Sequence, residues 1–383
     1  TYYNLTTSGG GTKTAGGAFS LASNGTLTVS TGVFDPATYL ITGSGTNTLT
    51  VGSGGTLKVD NATYALNYSE GFTTNTFNSA STIEYSRAGD QTIRGDITMG
   101  NLTISGTGTK SLSANSTALG TTTISGGILD VTGSNFTLDT GAIVISGGTF
   151  LPRGSIVSLT GVGTVFSFTS GTFTAGISTL KLTDSSSSAK TFAGGGQTFR
   201  NVFFEPGAGT GTYTISGNNT IFEFKDDGSV AHSILFTAGS TNTIANWRVK
   251  GNPGNLITLN STSPTTKWYL VNTNQGYAIG TDYISLRDSQ ITSSNIAYAG
   301  PNSVDDTTGG STNVGWTFTV RSHGGGSGNV EASATPNPQV GGGVGGGVGG
   351  DDSSPTAGGI AVVTNSVVTS VTMTSGGTGY GSP

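Results

Sequence analysis

Apolar and polar residues alternate along this chain in short runs, and Gly, Ser and Asn clusters interrupt them every 8 to 12 residues. Runs such as TLTV at 26–29, ILDV at 128–131 and SLTGVGTVFSF at 158–168 have the two-residue period of half-buried strands. The runs themselves recur. TLTV returns at 48–51, an offset of 22; TISGG at 123–127 returns as VISGG at 144–148 and as SFTSG at 167–171, offsets of 21 and 23. A unit of that length is too short to be a domain. It predicts one coil of an all-β parallel β-helix (β-solenoid): two or three short strands joined by tight turns, with Gly or Asn where φ is positive. Stacked coils would set Leu27 over Leu49 and Ile124 over Ile145 as buried ladders. About fourteen such coils over 1–318 would make a rod of roughly 65 Å. The rival architecture is a string of tandem Ig-like β-sandwich modules of about 100 residues.

That rival arises because a longer echo is also present. NLTTSGGGTK at 4–13 returns as NLTISGTGTK at 101–110, 97 residues on, and more faintly from Asn201. Residues 1–200 therefore read as solenoid repeats in two modules of about 100 residues. Residues 201–320 carry all three Trp (Trp247, Trp268, Trp316) and read as further β coils with a Trp-containing cap that closes at 315–318. Residues 321–358, with VGGGVGGGVGG at 340–350, form a Gly-rich linker. Residues 359–383 return to strand character as a short β tail, too small to fold alone.

Composition narrows the function classes. Of 383 residues 65 are Gly and only 9% are charged, yet 33% are apolar and the net charge is −5, so the chain has too much to bury for a disordered polyelectrolyte. Its 15 Lys and Arg are spread thinly, which predicts no nucleic-acid partner. No apolar run reaches the roughly 18 residues of a membrane helix, so no membrane span is expected. The chain starts at Thr1 without a leader-like segment and predicts a processed chain or a piece of a longer one. With no Cys, disulfides and thiolate metal sites are excluded.

QTI at 91–93, GNLTISGTGTKSL at 100–112, TISGGILDV at 123–131 and NVGWTF at 313–318 together resemble bacterial β-strand-repeat, adhesin-like secreted surface proteins. Related repeats occur in phage fibre and virion structural proteins. The likeness covers roughly 1–318. The tail at 364–383 separately resembles a short β-module of phage virion proteins in which the strand continues past the equivalent of Pro383, which implies truncation or another use of that strand. The resemblance implies location and architecture; neither motif is catalytic.

Candidate chemistry is sparse. His232 and His323 are the only histidines and lie 91 residues apart. Residues 225–229, KDDGS, faintly resemble a calcium loop but lack its alternating oxygen ligands and distal Glu. Glu205, Glu223, Asp226, Asp227, Asp282 and Asp288 are the carboxylates available for a two-carboxylate glycosidase. Nine Asn-X-Ser/Thr sequons read first as turn and strand-edge residues and only then as glycan acceptors. No catalytic, metal or cofactor site is expected, and no cofactor. The expected function is a non-enzymatic extracellular, cell-surface protein: the subunit of a filament or adhesin that self-assembles head to tail by β-augmentation. Its assembly residues would be Ile360, Val362, Val363, Val367, Val368, Val371 and Met373. The alternative is a phage tail fibre or spike, located on the virion, with a host-surface glycan as partner.

Overall fold

The structure, a computed structural model, describes residues 1–318 except 132–133, 206–208, 227, 275–278 and 294–296, together with the backbone of two tail strands, Gly358–Thr364 and Val367–Ser375. The chain divides into two compact units, Thr1–Val320 and Arg321–Pro383. The first unit is a β-solenoid of about 14 turns, built from parallel strands about 22 residues apart, with 2% helix. The one α-helix, Tyr64–Asn67, is a single turn whose N-cap Thr63 accepts from the Leu66 amide.

Each coil presents three faces. The first holds Tyr2–Thr7, Asn47–Val51, Phe72–Phe77 and, later, Thr179–Leu182. The second holds Gly32–Asp35, Gly55–Val59, Thr82–Tyr85 and Asn101–Ile104. The third holds Gln91–Ile93, Thr109–Leu112 and Ile128–Asp130. Some strands bend round a corner; Leu138–Leu151 spans parts of all three faces. Leu27 pairs with Leu49, and Ile124 with Ile145, in parallel register, and all four are fully buried. Sandwich modules are thereby excluded, because their strands pair antiparallel.

The interior is a set of columns. On the second face Phe34, Leu57, Ile83 and Leu102 stack in successive rungs, and Ile143, Phe166, Phe192 and Ile215 continue the column beyond Thr122. Thr122 tolerates its buried place because its hydroxyl lies 2.9 Å from that of Thr140. Aromatic rings thicken the core towards the C-terminal end, where Phe166 and Phe192 stack at 4.8 Å and Phe236 and Trp268 at 4.2 Å. Trp247 and Trp268 are buried within this core, and Trp316 packs half-buried against it. The ladder also runs uninterrupted through position 200, inside the strand Thr198–Phe204.

Glycines serve the stacking in two ways. Gly32 takes φ +73° and would place a Cβ 2.3 Å from the Gly9 carbonyl. Gly71 has no such φ, yet a Cβ there would lie 2.1 Å from the Gly43 carbonyl of the coil below. Close approach between coils therefore demands glycine even where the backbone conformation does not.

The repeated NLT…GTK stretch changes meaning once folded. Asn4 and Asn101 each accept the backbone amide of the next coil, from Thr26 at 2.9 Å and Thr121 at 2.8 Å. Lys13 and Lys110 each turn their ammonium into the carbonyls of the preceding turn. The two copies nevertheless sit on different faces: Asn4 on the first, Asn101 on the second. The 97-residue offset is four coils of 22 plus 9 residues, so it carries the chain one face further round. It marks a strand–turn–strand unit and not a domain period.

In the second unit Gly358–Thr364 pairs antiparallel with Val367–Ser375. The tail segments were expected to be unable to form a sheet of their own; they form a two-stranded hairpin with each other. The pairing sets Ile360 against Thr372, Val363 against Val368 and Gly359 against Met373. The linker core at 340–350 and His323 lie outside the described residues.

Candidate functional site

The carboxylates singled out in the sequence are dispersed by the fold. Asp282 is a turn residue that accepts from the Tyr283 and Asn302 amides at 3.0 Å and from the Asn302 side chain at 2.9 Å. Asp288 is buried and accepts the Thr265 amide at 3.1 Å. Asp226 points inward, and Asp227 lies outside the described residues. Glu205 and Glu223 both face outward, but the register separates them by one rung and four residues of strand, about 14 Å. Retaining and inverting glycosidases hold their pair at about 5–10 Å. Each is instead held by a cation: Glu205 by Lys181 at 3.1 Å, Glu223 by Arg248 at 2.9 Å.

His232 belongs to a buried polar seam at the corner between the first and second faces. Its Nε2 lies 2.7 Å from Asp226 Oδ2, both side chains are fully buried, and its Nδ1 lies 3.0 Å from the Val230 carbonyl. Both ring nitrogens thus lie close to oxygen atoms. The Tyr213 ring packs 5.3 Å from His232, and burial holds its hydroxyl well above the ordinary tyrosine range. On the other side of Tyr213 the buried Lys190 ammonium lies 2.7 Å from Asp184. Asp184 titrates below the usual carboxylate range: burial pushes it up, but donation from Lys190 and Ser186 outweighs burial. The seam closes turns. Asp226 Oδ1 accepts the Gly228 amide at 2.9 Å, so KDDGS is a turn in its described part. Among the described residues no cluster of three or more His, Asp or Glu is placed to hold a metal ion.

The sequons divide by geometry. Asn67 is wholly buried and accepts the Asp60 and Asn61 amides, and Asn260 is 8% exposed. Asn61 and Asn101 donate their carboxamide N–H to carbonyls, at 3.0 Å and 2.9 Å. Asn4, Asn115, Asn135 and Asn218 use only the oxygen and are exposed, as is Asn24. Five sequons thus stand on exposed asparagines whose carboxamide nitrogen donates to no partner among the described residues.

The surface feature best suited to recognition was not singled out in the sequence. A groove of about 370 Å³ runs along the corner between the third and first faces. Ala175 and Gly176, Thr198 to Arg200, Thr220 to Phe222, Ala245, and Thr273 line it on five consecutive coils. The Arg200 guanidinium lies 3.4 Å above the Phe222 ring, which is itself 38% exposed. On the adjoining first face the outward column continues Lys181, Phe203, Lys225, Arg248, and the Lys225 ammonium sits 5.3 Å above Phe203. Four of the chain's 15 Lys and Arg, Lys181, Arg200, Lys225 and Arg248, are therefore neighbours here. Against these four stand two carboxylates, Glu205 and Glu223, leaving a local balance of +2 on a chain of net charge −5. Among the described residues Arg200 and Lys225 have no carboxylate partner. The signal was in the sequence: 181, 203, 225 and 248 recur at the coil period, as 200 and 222 do.

A second groove, of about 510 Å³, crosses the first face where Phe72–Phe77 gives way to residues 94–98. Arg94 and Asp96 close its edge with a 2.6 Å ion pair, and Arg94 donation lowers the Asp96 carboxyl. No helix among the described residues is long and apolar enough to cross a membrane. In comparisons with known proteins, no family model, no curated protein and no solved structure matches this chain.

Proposed function

We propose that this chain is a non-enzymatic extracellular structural protein, the subunit of a surface filament or adhesin that assembles by strand addition. The observation that carries this reading is the coil-to-coil ladder of the second face, which runs strand to strand from Thr12–Thr14 to Val304–Asp305. Core side chains stack coil on coil, and buried Asn67, Lys110 and Asp226 bind the backbone of turns. A rod so built is stiff, because each coil is hydrogen-bonded to the coils on either side. Assembly falls to the tail. A two-stranded hairpin is marginal alone and leaves each strand one open edge. Addition of a neighbouring subunit's strand along Ile360, Val362 and Val363, or along Val367, Val368, Val371 and Met373, completes the sheet. Contacts of this head-to-tail kind do not close and give a filament. The test is deletion of residues 359–383. The full chain should form filaments by electron microscopy, and the deleted chain should keep its far-ultraviolet β signature while staying monomeric by light scattering. Filaments formed equally well without the tail would overturn the assignment.

A second reading, a phage tail fibre that binds a host-surface glycan, is favoured by the groove with Arg200, Phe222 and the neighbouring cations. A rod that displays a recognition stripe on its side serves either setting.

A further inference from the structure

We propose that the groove between the third and first faces binds an acidic polysaccharide lying parallel to the solenoid axis, with a carboxylate on Arg200 and others on Lys225; this rests on the glycan-binding reading.

Direction comes first. The groove is lined at one corner position by five consecutive coils, so its length is about four rung spacings, roughly 19 Å. An extended polysaccharide advances by about 4–5 Å per sugar, close to one rung of about 4.8 Å, so successive sugars meet successive coils in a like manner. A compact ligand would use one or two rungs and leave the rest of the groove empty.

Charge sets the class. Arg200 stands in the groove with its guanidinium plane laid on Phe222, which fixes the fork that grips a carboxylate in two hydrogen bonds. Lys225 lies on the next rung about 10 Å across the first face, within reach of acidic groups on a chain seated in the groove. Neither cation is neutralised by a carboxylate among the described residues, whereas Lys181 and Arg248 are each paired. The outward Asn246 side chain on the same stretch accepts from Asn274 at 3.1 Å, keeping polar edges for sugar hydroxyls. A neutral glycan would leave the two free cations without purpose. A single-stranded nucleic acid is the less suitable polyanion, because Phe222 and Phe203 each already carry a cation on one ring face and serve as seats for charge instead of base-stacking platforms.

The test uses the full chain with a panel of oligogalacturonate, its methyl-esterified form, hyaluronan, dextran and single-stranded oligo-dT, read by titration calorimetry. The expected result is binding of at least one acidic glycan, weakened about tenfold or more by 0.5 M salt and by the R200Q/K225Q variant, as one lost charged contact of about 1.4 kcal/mol implies. Both residues face outward, so circular dichroism should report an unchanged fold. Equal binding of methyl-esterified oligogalacturonate or dextran overturns the acidic class and leaves the glycan reading standing. No binding to any glycan overturns both. Tighter binding of oligo-dT overturns the choice of polymer, and undiminished affinity in R200Q/K225Q overturns the location.

Discussion

Replacing Lys110 by Met tests how this fold holds its turns. Lys110 is fully buried, and its ammonium donates to the carbonyls of Arg87 at 2.8 Å, Gly89 at 2.7 Å and Thr107. Burial lowers its pKa, so the charge is held under strain of desolvation and the carbonyl cage is what keeps it there. Met matches the length and apolar stem but donates nothing, which takes the ammonium from three carbonyls on two neighbouring turns; those of Arg87 and Thr107 keep only the Gly89 amide, at 3.1 Å, and that of Gly89 loses its side-chain donor. Hydrogen bonds to a charged group contribute about 1.5–3 kcal/mol each; removing the buried charge gives part of that back, for a net loss of about 2–4 kcal/mol. In a solenoid each coil contacts only its neighbours, so the loss should appear locally. The assay is native-state hydrogen exchange read by mass spectrometry. Peptides over residues 86–112 should exchange about 30- to 1,000-fold faster, at 1.4 kcal/mol per tenfold, while peptides over 220–249 keep their rates. Lys58→Met is the control: Lys58 is partly exposed and pairs with Asp35 at 3.3 Å, a contact of about 1 kcal/mol or less. Unchanged exchange over 86–112 in Lys110→Met would refute the turn-holding role, and equal acceleration of every coil would refute its local action.

Acid should act through Asp184, whose folded pKa is lowered by Lys190 and Ser186 against the opposing effect of burial. A depressed carboxylate contributes stability that is complete above its unfolded pKa of about 3.9 and is lost as pH falls through the folded value; thermal melts from pH 5 down to pH 2 should show this, and Asp184→Asn should flatten that limb. In a host that glycosylates secreted proteins, the folded product should carry glycan among Asn4, Asn24, Asn115, Asn135 and Asn218 and never at Asn67 or Asn260, as glycopeptide mass spectrometry would report; an occupied Asn67 in folded material would contradict its buried, amide-accepting geometry.

The sequence by itself determined the fold class and the coil. Alternation along a strand is local, and the 21–23-residue offset that sets Leu27 on Leu49 is the length of one circuit of the chain, so both can be read without tertiary knowledge. The same period carried the recognition stripe, but Lys181, Phe203, Lys225 and Arg248 differ in chemistry and do not look like a repeat until stacking makes them neighbours. The tail strands were legible as strands, while their partner was not, because alternation does not say which edge pairs with which. Tertiary structure alone decided what polar side chains do inside the rod. Lys110, Asn67 and the His232–Asp226 pair are polar residues whose partners lie on neighbouring turns or across a corner, 6 to 30 residues away. It also decided that Gly71 must be glycine, since the atom that excludes a side chain there is the Gly43 carbonyl of the coil beneath. Such contacts depend on how closely one coil lies on the next, a distance that no local pattern encodes.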